Sequence, residues 1–179
     1  MKATYKSRRK LIHTRKIESN GYLREDNFWD IEAILIDTKS YESNNSFKGK
    51  IKSGEPIHHM KIIVTLDQSM IIKDIEAKTN SAPYPVCPQV TTNFQSLKGI
   101  QIAPGWKKNI RKLLGGTKGC THLVELLNTI ATTAFQTIYP YSKKIETEIK
   151  TKPILLNKCY AYSEKSPIVK KLFPNYYKP

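Results

Sequence analysis

Apolar and polar residues alternate through much of the first half of the chain. In Phe28-Trp29-Asp30-Ile31-Glu32-Ala33, continuing into Ile34-Leu35-Ile36-Asp37, the acids Asp30 and Glu32 alternate with Trp29, Ile31 and Ala33. That period of two predicts a half-buried strand over 28–38. A second strand is expected over 10–17, with Ser19-Asn20-Gly21 as the turn between them. Residues 39–55, rich in Ser, Asn, Lys and Gly, read as a loop with a short strand at 47–51. Two β-branched runs, 58–66 and 70–78, flank Asp67-Gln68-Ser69 and predict an antiparallel hairpin.

The period changes after Ala82-Pro83-Tyr84-Pro85. Pro88 suits a first helical turn, and Val90, Phe94 and Leu97 recur at helical spacing before Gly99. A second short helix is expected over 104–114, closed by Gly115-Gly116. A third spans 121–138, where Leu123, Leu126, Leu127, Ile130, Ala134 and Ile138 form one apolar stripe, with Tyr139-Pro140 as its stop. A last strand is expected over 154–162. Strands first and helices after predict an α+β fold, an antiparallel sheet with three helices packed on one face. At 179 residues the chain reads as a single domain, 1–179, with a basic arm at 1–10 and a basic tail from about 163 to 179.

Composition narrows the class. No apolar run is long enough to span a membrane. The start, MKATYKSRRKLIHTRK, is charged but has no apolar core, so it does not read as a secretory signal. Three cysteines cannot all pair with one another, which argues against a disulfide scaffold and for a reducing, cytoplasmic setting. Charge adds more. Thirty Lys and Arg against 15 Asp and Glu give +15. Eleven of those acids lie between Glu18 and Glu76, and none lies from Ala77 to Val124. Such a field attracts a nucleic acid, an acidic protein partner or an anionic ligand, although a lysine-rich solvated surface with no such partner carries the same charge.

Soft-ligand chemistry rests on Cys87, Cys120 and Cys159 and on His13, His58, His59 and His122. Cys87 and Cys120 each open a predicted helix, where the dipole and nearby lysines favour thiolate. Strand parity puts His58 on the face of Met60, Ile62, Val64 and Leu66, and His59 on the opposite one. Cys87, Cys120, His58 and His122 therefore form a candidate tetrahedral site for zinc or an iron–sulfur cluster. No CxxC pair or finger spacing is present, and free cysteines are commonly just buried. Asp26, Asp30 and Glu32 are candidate acid/base groups, with solvent exposure as the plainer reading.

Two resemblances follow from specific residues. Gly21-Tyr22, Arg24, Asp26, Trp29-Asp30-Ile31-Glu32, Asp37-Thr38-Lys39, His58-His59-Met60, Pro83-Tyr84-Pro85 with Cys87, and Gly119-Cys120-Thr121-His122-Leu123 resemble a bacterial family that is a domain of unknown function. That family spans nearly the whole chain. Its usual Cys-His-Ala triplet is here Cys159-Tyr160-Ala161. The stretch Gly54 to Ile62 followed by Ile72 to Thr79 is similar to the hairpin of NifU/IscU-type iron–sulfur scaffold proteins. That resemblance implies a scaffold-like core with an added N-terminal hairpin. It puts His58 at an aspartate ligand position, Cys87 and Cys120 at the second and third cysteines, and His122 near the accompanying histidine. Pro56 stands where the first cysteine would be.

The expected function is therefore a Cys/His metal-binding, scaffold-like protein with a basic docking surface. Two alternatives stand beside it. One is a nucleic-acid-binding module acting through its charge. The other is a thiol-dependent enzyme pairing Cys87 or Cys120 with His58 or His122 as base.

Overall fold

A computed structural model of the chain describes residues 7–143 and 153–179. The chain falls into two compact units, Met1–Tyr139 and Pro140–Pro179. In the first unit, β1 (His13–Leu23) and β2 (Trp29–Lys39) are followed by a small separate ribbon, β3 (Ser43–Asn45) with β4 (Gly49–Ile51). Then come β5 (Pro56–Leu66) and β6 (Ile72–Ser81). The main sheet is antiparallel in the order β1-β2-β5-β6. A 3-10 helix (Cys87–Leu97), α1 (Trp106–Leu114) and α2 (Thr121–Lys143) come after it. The fold is α+β, as the order of patterns predicts.

Alternation decides which face is covered. Trp29, Ile31, Ala33 and Leu35 of β2 and Met60, Ile62, Val64 and Leu66 of β5 are buried, while the residues between them are half-buried. Phe94 and Leu97 of the 3-10 helix, Ile110 and Leu114 of α1, and Leu123, Leu126, Leu127 and Ile130 of α2 share one core with that face. Each element carries one apolar face, and stacking them on one side of the sheet removes all of them from water.

Four local expectations are corrected. The β1–β2 turn is at residues 24–28, not at Ser19-Asn20-Gly21. Arg24 N–H donates to the Phe28 carbonyl at 2.9 Å, and Asn27 takes the left-handed φ of 63°. Gly21 stays in β1 opposite Ile31, because a Cβ there would lie 2.1 Å from Thr137 Oγ1 on α2. It is a close-approach glycine, not a turn glycine. The segment after Pro85 is 3-10 and not α: its buried side chains, Phe94 and Leu97, are three apart, and Thr91 and Ser96 hydroxyls bond the carbonyls of Pro88 and Asn93. The third helix runs on to Lys143 with Pro140 inside it. Proline's fixed φ is helical, so the helix can continue there although Pro140 donates no backbone bond.

The last correction concerns 154–162, where turns replace the expected strand. In this C-terminal unit Asn157 adopts φ 59°, its N–H bonds the Tyr162 carbonyl at 2.8 Å, and its side chain accepts from Glu164 N at 3.1 Å. A left-handed asparagine serving its own loop prevents an extended run. α3 (Pro167–Leu172) follows, capped by Ser166, whose hydroxyl accepts from Val169 N at 3.1 Å.

Candidate metal centre

Register builds the site. Arg15 on β1 sits opposite Asp37 on β2, and Asp37 sits opposite His58 on β5. The three form a row across the sheet on its covered face. Asp37 continues the parity of Trp29, Ile31, Ala33 and Leu35, so the fold buries it to 1% exposure. A buried carboxylate needs partners, and it has several. Arg15 binds it with two parallel bonds, Nε to Oδ1 and Nη2 to Oδ2, each 2.8 Å. His58 Nδ1 lies 3.0 Å from Oδ2, and His13 Nε2 lies 3.3 Å from Oδ1. Arg15 also pairs with Glu125 on α2, tying the sheet edge to the helix.

His122, in the first turn of α2, completes the cluster. Its ring stacks on that of His58 with centroids 3.8 Å apart and planes 28° apart, and its Nε2 is 3.9 Å from Asp37 Oδ2. Burial pushes Asp37 up, but the hydrogen bonds and charge of Arg15 outweigh it and hold the carboxyl below its ordinary value. Burial pushes His58 down, and the neighbouring His122 adds to this against the pull of Asp37. Burial and the Arg15 charge lower His122 in the same way. Both shifts favour the neutral imidazole, the form that ligates metals.

Beside this row opens a cavity of about 360 Å³. Its walls include Met60, Val86 and Val90, and all four of the expected soft ligands, His58, Cys87, Cys120 and His122, line it. Cys120 Sγ is 3.8 Å from His122 Nδ1 and 3.9 Å from Met60 Sδ. Two ligands on tetrahedral zinc, with Zn–S of about 2.3 Å and Zn–N of about 2.0 Å, stand about 3.5 Å apart. Cys120 and His122 are thus close to chelating separation before any ring moves. The stacked imidazoles are not, because nearly parallel ring planes cannot both contain one ion. One ring has to turn, and the ring without a short bond to Asp37 is His122.

Among the described residues, the tight group of possible ligand atoms is Asp37, His58 and His122, all within 4.8 Å of one another. The chemistry argues against Asp37 as a direct ligand. Both its oxygens already accept from Arg15, and an ion bonded there would sit against a guanidinium. Its geometry suits a different task, fixing His58 so that Nε2 is left for a ligand.

The remaining candidates lie elsewhere. Asp26 pairs with Arg24 in the β1–β2 turn. Asp30 accepts from the Thr65 hydroxyl at 2.6 Å, and Glu32 pairs with Lys61, both on the opposite sheet face. Cys159 is exposed in the C-terminal unit. Sequence reasoning named His13 only among the possible soft ligands and Asp37 only within a family motif, and it gave no role to Arg15. The one available signal was a charged residue at the end of a buried parity.

The sequence profile of a family described as "Protein of unknown function (DUF2889)" matches residues 13–136. The chain belongs to this family. The DUF2889 match covers the sheet, both helical segments before α2 and most of α2 itself, so Arg15, Asp37, His58, Cys87, Cys120 and His122 all lie inside it. It ends before the C-terminal unit. No curated protein and no solved structure matches the chain, so the likeness of this DUF2889 protein to iron–sulfur scaffolds rests on the quoted residues alone. Among the described residues, no helix is long and apolar enough to cross a membrane.

Proposed function

We propose that the cavity holds a zinc ion through Cys87, Cys120, His58 Nε2 and His122 Nδ1, with Asp37 orienting His58 from behind. The observation that carries this is the Cys120–His122 pair, 3.8 Å apart, beside a histidine whose other nitrogen is bonded to a buried carboxylate. A carboxylate behind a ligating histidine fixes its tautomer and raises its basicity. Two thiols and two imidazoles are a zinc donor set, whereas clusters are held mainly by thiolates. The thiol-enzyme reading draws on the same Cys120–His122 contact and differs in needing no metal.

Titration of the metal-free protein with zinc against a chromophoric chelator tests the proposal. One zinc per chain is expected. Cys120→Ser should abolish tight binding, and Asp37→Asn should weaken it by about 10–100-fold, the usual cost of losing such a partner. The His122 ring resonances should shift on zinc addition as the stack opens. Absence of zinc uptake, or full uptake by both Cys87→Ser and Cys120→Ser, overturns the reading. Stoichiometric alkylation of Cys120 at one fast rate with and without zinc favours the thiol enzyme instead.

A further inference from the structure

The second feature is independent of the cysteines. α1 buries Trp106, Ile110 and Leu114 in the core, so its orientation is fixed. Its outer face carries Lys107, Lys108, Arg111 and Lys112, all exposed. These four cations fall within about 8 Å of helix axis, at 1.5 Å per residue. Lys118 follows in the 3-10 turn after α1, exposed at the rim of an open hollow of about 390 Å³. Asn93 lines the same hollow and donates one amide hydrogen to the Lys118 carbonyl at 2.8 Å, leaving its second for a ligand. Among the described residues none of the five cations makes an ion pair, whereas Lys98, Lys73 and Lys61 do. No acid lies from Ala77 to Val124, so the segments that carry these five cations supply no carboxylate of their own.

We infer that this face binds the phosphate backbone of a nucleic acid duplex. An interface for an acidic protein usually has an apolar or aromatic centre ringed by charge. Here the centre itself is charged and its neighbour is an amide, the donor types that contact phosphate oxygens. No aromatic side chain stands among these residues to stack on an unpaired base, so the surface suits a duplex rather than a single strand. A membrane is disfavoured because the apolar side of α1, the part that would enter lipid, is already in the core. Binding of this kind is independent of sequence and strongly dependent on salt.

The test uses fluorescence anisotropy with a labelled mixed-sequence DNA duplex of about 20 base pairs and the full chain. Five phosphate contacts predict a loss of affinity of about 500-fold between 50 and 200 mM salt. The variant K107Q/K108Q/R111Q/K112Q removes four of them, and its loss over that range should shrink to about 4-fold. The control K10Q/K16Q/K48Q/K52Q removes the same charge from exposed lysines on or beside β1 and the β3–β4 ribbon, and should keep most of the wild-type salt dependence. Thermal melts of both variants check that they fold. Equal weakening by both variants overturns the inference, because the whole molecule's field then suffices. No binding to the duplex overturns it. Tighter binding to polyglutamate or to phosphatidylserine vesicles than to the duplex at equal salt also overturns it, in favour of an acidic protein or a membrane.

Discussion

At Gly21 a single missing methyl group decides how closely α2 lies on the sheet edge. Its added Cβ would meet Thr137 Oγ1 at 2.1 Å, Cγ2 at 2.6 Å and Cβ at 2.8 Å. The Thr137 hydroxyl is engaged with the Thr133 carbonyl at 2.8 Å and cannot simply swing aside. Gly21→Ala is expected to cost about 2–3 kcal/mol, the range of overpacking in a well-filled contact, read from urea unfolding. Adding Thr137→Ala removes the two nearest atoms and should recover about half of that loss. The same residue shows where sequence reading fails. A Ser-Asn-Gly triplet carries turn chemistry wherever it occurs, and only the helix packed above explains why this one is straight. Asp37 is the converse case. Parity was enough to bury it, but its partners come from β1, β5 and α2, separations that no local pattern encodes.

Among the elements, the β5–β6 hairpin was the most legible, because two β-branched runs around Asp67-Gln68-Ser69 leave little other choice. Its turn is held by Asp67, whose carboxylate accepts from Ser69 N and Ile71 N, each at 2.9 Å, and pairs with Lys73 at 2.8 Å. Partial burial raises the Asp67 pKa, but the Lys73 and backbone donors outweigh it, so its folded value lies below the ordinary one. The unfolded chain then binds the proton more readily. The stabilisation from Asp67 is complete above the ordinary carboxylate pKa and is lost as pH falls through the lower folded value. Asp67→Asn should therefore be about 1 kcal/mol less stable than the parent at pH 6, with the gap closing in acid. Urea unfolding at both pH values measures it, and a gap that stays constant would refute the assignment. Less legible were the 3-10 helix, where Val90 imitates an α period that burial does not follow, and residues 154–162. There the apolar and aromatic side chains suggested a strand that Asn157 interrupts.

Across the whole molecule the net charge of +15 opposes compaction. Salt screens this repulsion within about 10 Å at 0.1 M. The Tm should rise by about 2–4 °C between low salt and 0.5 M salt, the shift that about 1 kcal/mol gives in a chain of this size. A Tm that falls instead would mean that the ion pairs around Asp37 and Asp67 outweigh the repulsion. The sheet order has a further consequence, for synthesis. All four strands of the main sheet are complete by Ser81, while the side chains that cover its apolar face run on to Ile138. A ribosome adding about 5–20 residues per second takes roughly 3–12 s to make that stretch. For those seconds the apolar residues of the four strands have no helix to cover them, and chaperones can meet a surface that the mature protein buries.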